Sequence, residues 1–227
     1  MGTQKVLVEG SSVTASQMKD FWRQVEDGSV NRTYLQMFLD HQFKFDLEKV
    51  NIDWAKVYKT LGMEFKPGDL AVSADPNHWD AYVMKGVTPN KVVAAFRELG
   101  VDVYTYVDDL DAGVPTNDRD PKNGSYRVRF KKTVEADPEL AGKSAEMLEA
   151  ESISGITLLE RLLLEFGYFL ATGEHLDVEN VTLCSGSRSS GGSVPRVDWH
   201  ADNRKLYVYW FYQWHADGYL RARAVVS

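Results

Sequence analysis

The chain has 227 residues, of which 44% are hydrophobic, and a formal net charge of −7. A chain of this length and composition can bury the core of one large domain or of two small domains. The acidic balance argues against a nucleic-acid-binding protein, and the lack of an apolar run of membrane-spanning length argues against membrane insertion, so we expect a soluble protein.

The N-terminal part has the pattern of three amphipathic helices. The first is predicted to begin after a capping box formed by Thr14 and Gln17 and to end at Gly28. The second is predicted over residues 30–43 and the third over residues 53–62. In all three, aromatic residues recur at helical spacing, which is typical of a face that packs into a core.

A strand–helix–strand pattern follows these helices. Residues 80–86 and 101–107 are predicted to be strands, and residues 88–100 form a helix between them. Thr88 is suited to cap this helix, and Pro89 occupies its first position. Two strands that flank a short helix predict a small mixed sheet.

Residues 108–125 are rich in Asp, Asn, Pro and Gly, a composition that is typical of turns. Asp118 and Asp120 have the opening spacing of a calcium-binding EF-hand loop. However, Lys122 stands at the next ligand position, and Asn123 stands where the loop needs glycine. We therefore interpret this loop as a solvated turn and expect no metal in it.

The segment after the next strand is charged and rich in Ala and Glu, and it predicts a domain boundary. We divide the chain there into three parts. They are an N-terminal helical and mixed α/β region (1–135), a charged linker (136–154) and a C-terminal domain (155–227).

The C-terminal domain begins with the clearest helix pattern of the chain, "TLLERLLLEFGYFLATG" (157–173). This helix starts with a capping box of Thr157 and Glu160, presents a wide apolar face and ends at Gly173. Short predicted strands follow, separated by turns: "VTLCSG", "VPRVDW", "KLYVYWFY" and "YLRARAVV".

The single cysteine of the chain, Cys184, lies in the first of these short strands, where we interpret it as a small buried residue. One cysteine cannot form an intrachain disulfide. This favours a cytoplasmic location, although a surface or secreted protein without disulfides fits the same pattern.

Eight of the 27 aromatic residues lie between Trp199 and Tyr219. Successive residues of a strand point to opposite faces, so the side chains of these strands divide into two sets. We predict that one set packs on the long helix: Val197, Trp199, Leu206, Val208 and Trp210. The other set then points outwards: Arg196, Asp198, His200, Tyr207, Tyr209 and Phe211.

The outward set has the residue types that form binding surfaces, because Tyr and Arg combine a large contact area with hydrogen bonding. With nearby polar residues added, the predicted ligand-binding surface consists of Arg196, Asp198, His200, Asn203, Tyr207, Tyr209, Phe211, Gln213 and His215. The alternative is that the N-terminal region covers this face and that the tyrosines only pack there.

Three motifs of the C-terminal domain resemble the variable proteins of diversity-generating retroelements. The helix "TLLERLLLEFGYFLATGEHLD" is similar to the acidic, aromatic helix of that family. "LCSGSR" resembles the strand that opens its variable region, and "GYLRARAVVS" resembles its closing segment.

The resemblance implies a C-type-lectin-like fold for residues 155–227. It also implies a variable region at 185–219, in which surface residues are diversified while scaffold residues stay fixed. The sugar-binding triplets of C-type lectins are not found, so neither calcium nor sugar specificity is expected. The predicted fold class is α+β: a helical and mixed N-terminal part, then a C-type-lectin-like domain with a long helix and short antiparallel strands.

Three functions are compatible with these patterns. The first is a ligand-binding protein whose C-terminal strands present a diversified aromatic and polar surface to a protein or a small molecule. The second is a structural or regulatory interaction protein without a diversified site, whose aromatic strands pack on its own N-terminal region or on a second copy in a homo-oligomer. The third is a hydrolase that uses Glu174, His175 and His200 for acid–base chemistry. No nucleophile motif, phosphate-binding loop or metal-ligand spacing accompanies those residues, so we expect neither enzyme activity nor a cofactor.

Overall fold

The computed structural model describes residues 15–28, 35–36, 47, 50–68, 70 and 75–226. These residues form an α+β structure, as predicted, with six α-helices and nine β-strands among them. The chain divides into two compact units, Met1–Phe45 and Asp46–Ser227. None of the described helices is long and apolar enough to cross a membrane.

The described part of the first unit is dominated by helix α1 (Ala15–Glu26), which confirms the first predicted helix. Arg23 forms ion pairs with Asp20 and Asp27 on the exposed surface of α1. The predicted capping residue Thr14 lies outside the described residues, as does most of the predicted second helix.

The second unit contains the other helices, and their boundaries follow local signals in the sequence. The N-caps Thr88 and Thr157 accept hydrogen bonds from the backbone of the first turn, as predicted, and Thr157 forms a complete capping box with Glu160. The helices are α2 (Trp54–Thr60), α3 (Pro89–Glu98), α4 (Leu110–Gly113), α5 (Ala145–Ala150) and α6 (Leu158–Thr172).

The strands form one five-stranded sheet and two small antiparallel pairs. The order in the large sheet is β2–β8–β7–β5–β9, and its β2–β8 and β5–β9 pairs are parallel. The small pairs are β1–β4 and β3–β6. The strands are β1 (His78–Val83), β2 (Asp102–Thr105), β3 (Thr116–Asn117), β4 (Tyr126–Lys131), β5 (Val181–Leu183), β6 (Ser187–Arg188), β7 (Val194–His200), β8 (Lys205–Phe211) and β9 (Leu220–Ala222).

The two strands that flank helix α3 were expected to share a small mixed sheet, and this prediction is wrong. Strand β1 pairs with β4, where Asp80 binds both Arg127 and Arg129 across the ladder. Strand β2 instead joins the edge of the large sheet, where Val103 lies opposite Leu206. Each strand therefore pairs with a complementary strand that is distant in the sequence. The local strand–helix–strand pattern does not show which distant strand that is.

The inner face of the large sheet packs on helix α6, as predicted. Leu159, Leu163 and Phe166 of α6 belong to the same buried cluster as Val197 and Val208 of the sheet. Trp199 and Trp210 are only partly buried and pack against the edge of that cluster.

We expect Trp210→Ala to lower the free energy of unfolding by about 2 kcal/mol, roughly half the cost of emptying a fully buried aromatic site. The reason is that Trp210 is partly buried against the core. Urea denaturation measures the change, and the exposed neighbour Tyr212 supplies the control variant Tyr212→Ala, which should unfold like the wild type. Equal midpoints for the two variants would show that Trp210 does not stabilise the core.

The segment 136–154, predicted as a charged linker, is instead folded against the outer face of the large sheet. It contains a 3₁₀ helix (Pro138–Leu140) and helix α5. Its apolar residues share a second buried cluster with those of β5, β7 and β9: Leu140, Ala145, Leu148, Val181, Leu183, Val194, Leu220 and Ala222. The glutamates that suggested a linker (Glu139, Glu146, Glu149 and Glu151) are exposed, whereas Asp137 is buried and accepts a hydrogen bond from the Ala224 amide.

A buried network of charges connects helix α6 to the C-terminal strands. Arg161 binds Glu165 at 2.7 Å and Asp177 at 2.8 Å, and Asp177 also binds Arg223 at 2.8 Å. All four side chains are shielded from solvent. The backbone carbonyl of Asp177 accepts a hydrogen bond from the Trp199 amide, which ties the network to β7.

The charges of this network compensate one another. Burial by itself raises the pKa of Asp177, but the guanidinium groups of Arg223 and Arg161 and the hydroxyl of Thr182 together hold that pKa below its usual value. A carboxyl group with a lowered pKa stabilises the folded chain above its ordinary pKa, and this stabilisation is lost as the pH falls through the lowered value. The contribution of Asp177 is therefore present at neutral pH and is lost only in strong acid.

Candidate functional site

The predicted surface residues lie on the outer face of the β2–β8–β7 half of the large sheet. In the β7–β8 pair, Arg196 lies opposite Tyr209 and Asp198 lies opposite Tyr207. In the β2–β8 pair, Tyr104 lies opposite Tyr207. Because directly opposed residues of neighbouring strands point to the same face, these side chains form one continuous layer.

Neighbouring rings of this layer contact one another across the sheet. The Tyr207 ring centre lies 4.5 Å from that of His200 and 5.2 Å from that of Tyr104. Tyr209 follows, with its ring centre 6.3 Å from that of Tyr104 and 4.9 Å from that of Tyr106. Aromatic rings at these separations attract one another, so the contacts between the tyrosines stabilise the positions of their side chains.

Arg196 lies among these rings. The Cζ atom of its guanidinium lies 5.0 Å from the ring centre of Phe211 and 5.5 Å from that of Tyr209. Its Nη1 donates to Asp198 at 2.6 Å. Its Nε is buried and has no hydrogen-bond partner among the described residues. The guanidinium is therefore held by two rings and one carboxylate, while its buried Nε donates to none of the described residues.

Asp198 is the polar centre of the layer and is almost fully buried. Its two carboxylate oxygens contact Arg196 Nη1 at 2.6 Å and His200 Nε2 at 3.0 Å. Burial raises the pKa of Asp198 above its ordinary value, while the positive charge of Arg196 acts in the opposite direction. Arg196 therefore favours the charged form of the carboxylate against the cost of its burial.

The remaining predicted residues extend the layer at its two ends. At one end, Asn203 donates to the Tyr207 hydroxyl at 3.0 Å. At the other end, the His215 ring is stacked on Phe211 with ring centres 4.2 Å apart. Gln213 lines a polar cleft of about 430 Å³ beside helix α5. The structure thus joins eight of the nine predicted residues by direct contact, and it places Gln213 in an adjoining cleft.

Tyr104 and Tyr106 were missed, although they belong to the same layer. Their side chains are 42% and 52% exposed. The alternation in "VDVYTYV" places both on one face of a strand, and this signal was available. What the sequence did not show is that β2 lies beside β8. We call the combined set the aromatic array; it comprises Tyr104, Tyr106, Arg196, Asp198, His200, Asn203, Tyr207, Tyr209, Phe211 and His215.

A second exposed pair of rings follows β8. Tyr212 and Trp214 are stacked with ring centres 5.4 Å apart, and both rings are largely exposed. Trp214 also contacts His215, with ring centres 6.2 Å apart. This pair therefore continues the aromatic array beyond the end of the strand.

The residues proposed for a hydrolase are not brought together. Glu174 is exposed, whereas His175 is buried, bonded to Glu165 at 2.7 Å and stacked on Trp199 with ring centres 3.5 Å apart. Trp199 points to the inner face of β7, and His200, the next residue, contacts the outer layer. The sheet therefore separates His175 from His200, and they cannot share one acid–base site.

The N-terminal region (1–135), which the alternative places on this outer face, contributes Tyr104 and Tyr106 to it, and these rings contact Tyr207 and Tyr209. Tyr104 and Tyr106 themselves stay exposed. The side of the face formed by β5 and β9 is covered by residues 136–154, and this buried cluster extends to Val194 of β7 and Phe211 of β8.

Comparison with protein-family models, curated proteins and solved structures found no match. Among the described residues, no group of three His, Cys, Asp or Glu side chains is placed to hold a metal ion.

Proposed function

We propose that this chain is a ligand-binding protein that presents the aromatic array to a partner protein. The observation that carries the proposal is the continuous layer of rings on the β2–β8–β7 part of the outer face, with Tyr104 and Tyr106 exposed within it. Tyr and Arg provide much of the binding energy of protein interfaces, because they bury a large area and lose little conformational freedom.

The shape of the array favours a macromolecular partner over a small molecule. Small ligands bind in concave pockets that surround most of their surface. The array instead covers the face of a sheet across three strands, β2, β8 and β7. The cleft beside Gln213 adjoins one end of it. A broad face of this kind suits the surface of another protein.

The proposal includes a C-type-lectin-like fold for residues 155–227 and a diversified region at 185–219, as in the retroelement variable proteins that the motifs resemble. Two observations support it. Helix α6 packs on the inner face of the strands, so the scaffold lies on one side of the sheet. The interval 185–219 contains β7 and β8, and these strands supply most of the array on the other side.

The double variant Tyr207→Ser/Tyr209→Ser tests the proposal. We expect the loss of two central rings to weaken binding by about 2 kcal/mol or more, roughly 30-fold. Both tyrosines are half-buried and contact neighbouring rings, so the variant should also lose about 1 kcal/mol of stability and remain folded. The measurement uses peptides from a displayed random library, selected on the wild-type chain and then titrated against the variant.

Tyr219→Ser is the matched control, because Tyr219 is exposed and makes none of the ring contacts of the array. Peptides that bind the array should retain full affinity for this variant. If most selected peptides bind the Tyr207→Ser/Tyr209→Ser chain as tightly as the wild type, the array is not the binding surface. If the wild type associates with itself and the double variant does not, the partner is a second copy of the chain.

A further inference from the structure

Two cations in or beside the aromatic array are paired with carboxylates. Arg196 binds Asp198 at 2.6 Å, and Lys205, at the start of β8, binds Asp102 of β2 at 2.9 Å. These two cations therefore attract an acidic partner less strongly than unpaired cations would. Arg204, in the turn between β7 and β8, is exposed and forms no ion pair with the described residues.

Exposed charges lie beyond each end of the exposed tyrosines. Asp108 lies two residues after Tyr106, and Asp202 lies together with Arg204 in the turn between β7 and β8. Both carboxylates are exposed, and within the described part of the chain neither forms an ion pair. Because β2 runs parallel to β8, Asp202 and Asp108 lie towards opposite ends of the two exposed rings.

An exposed tyrosine ring beside a carboxylate suits an organic cation. The ring face attracts a guanidinium or ammonium group through its negative electrostatic potential, and the carboxylate compensates the charge. Tyr104, in β2, and Tyr106, just after it, are the most exposed tyrosines of the aromatic array, and Asp202 and Asp108 lie beyond them in opposite directions. The chain as a whole carries a net charge of −7, which also steers a basic partner towards it.

This inference rests on the function proposed above. We propose that the partner is a protein segment that carries Lys or Arg side chains and lies along β2, with its cations over Tyr104 and Tyr106 and towards Asp108 and Asp202. Residues 104 to 106 span about 7 Å at the rise of an extended strand. Basic side chains two residues apart in an extended segment match that span.

Two synthetic peptides of equal length, an Arg–Gly repeat and a Glu–Gly repeat, test the proposal on the full chain by calorimetric titration. We expect the Arg–Gly peptide to bind, with an affinity that falls as salt is added, and the Glu–Gly peptide not to bind. The variant Tyr104→Ser/Tyr106→Ser should bind the Arg–Gly peptide about five- to tenfold more weakly than the wild type, although the substitutions leave the net charge unchanged.

Two matched controls distinguish binding at this site from a general attraction of the peptide to the negatively charged chain. Tyr219→Ser removes a ring that is 43% exposed, close to the 42% of Tyr104, and should not change the affinity. Asp108→Asn should lower the affinity for the Arg–Gly peptide more than Glu64→Gln does, although each substitution removes one exposed negative charge. Equal affinities for wild type and Tyr104→Ser/Tyr106→Ser would overturn the inference, because net charge alone would then explain the attraction.

The outcomes also distinguish this inference from the proposed function. If the Glu–Gly peptide binds and loses affinity in the Tyr207→Ser/Tyr209→Ser chain, the aromatic array is a binding surface but its partner is not basic. If the library-selected peptides also bind the Tyr207→Ser/Tyr209→Ser chain as tightly as the wild type, the proposed function is wrong as well.

Discussion

Arg161→Ala is expected to destabilise the fold by about 3–5 kcal/mol, because it leaves the buried carboxylates of Glu165 and Asp177 without their shared cation. Arg223 still binds Asp177, but Glu165 then keeps only its contact with His175 and the Leu176 amide. Urea denaturation at neutral pH measures the loss as a shift of the unfolding midpoint.

Arg127→Ala provides the control for this experiment. Arg127 also binds a carboxylate, that of Asp80, but its side chain is partly exposed and Asp80 keeps Arg129 as a second partner. Partly exposed ion pairs contribute about 1 kcal/mol or less. Similar midpoints for the two arginine variants would mean that the buried network does not hold α6 against the C-terminal strands.

Phe166→Ala is expected to cost a similar amount, about 3–5 kcal/mol, through a different mechanism. Phe166 of α6 is fully buried and packs edge-to-face on Phe96 of α3, with ring centres 4.8 Å apart. Its removal leaves a cavity between two helices that support the inner face of the sheet. Thermal and urea denaturation should show the loss together, and binding at the array should persist at temperatures where the variant is folded.

Phe169→Ala is the matched comparison on the same helix. Phe169 is only partly buried, and its ring centre lies 6.0 Å from that of Phe96. We expect Phe169→Ala to lower the free energy of unfolding by roughly half as much as Phe166→Ala, because the substitution removes less buried apolar area. A larger loss from Phe169→Ala would contradict the assignment of Phe166 to the centre of the core.

The helices could be predicted from the sequence because their signals are local. Thr88 with Pro89, and Thr157 with Glu160, satisfy free backbone groups within one turn, and the structure confirms both. The division of β7 and β8 into an inner and an outer set was also predictable, because alternation along a strand depends only on position. Val197 and Val208 are buried in the core as expected.

The pairing of distant segments could not be predicted in the same way. The position of β2 beside β8 depends on residues more than a hundred positions apart, so Tyr104 and Tyr106 were not assigned to the surface. The segment 136–154 was interpreted as a linker because its charged residues are frequent. Its few apolar residues, Leu140 and Leu148 among them, contact a sheet face that the local pattern does not reveal.

The alternation of β7 between two faces has a consequence for how this protein can change over generations. Val197 contacts buried side chains, whereas its neighbours Arg196 and Asp198 belong to the outer layer. If the proposed function holds, adjacent codons are under different constraints: one specifies packing and the next specifies the proposed binding surface. Substitutions at every position would damage the fold, while substitutions confined to alternate codons would change the outer side chains of β7 and β8 and leave the support beneath them intact.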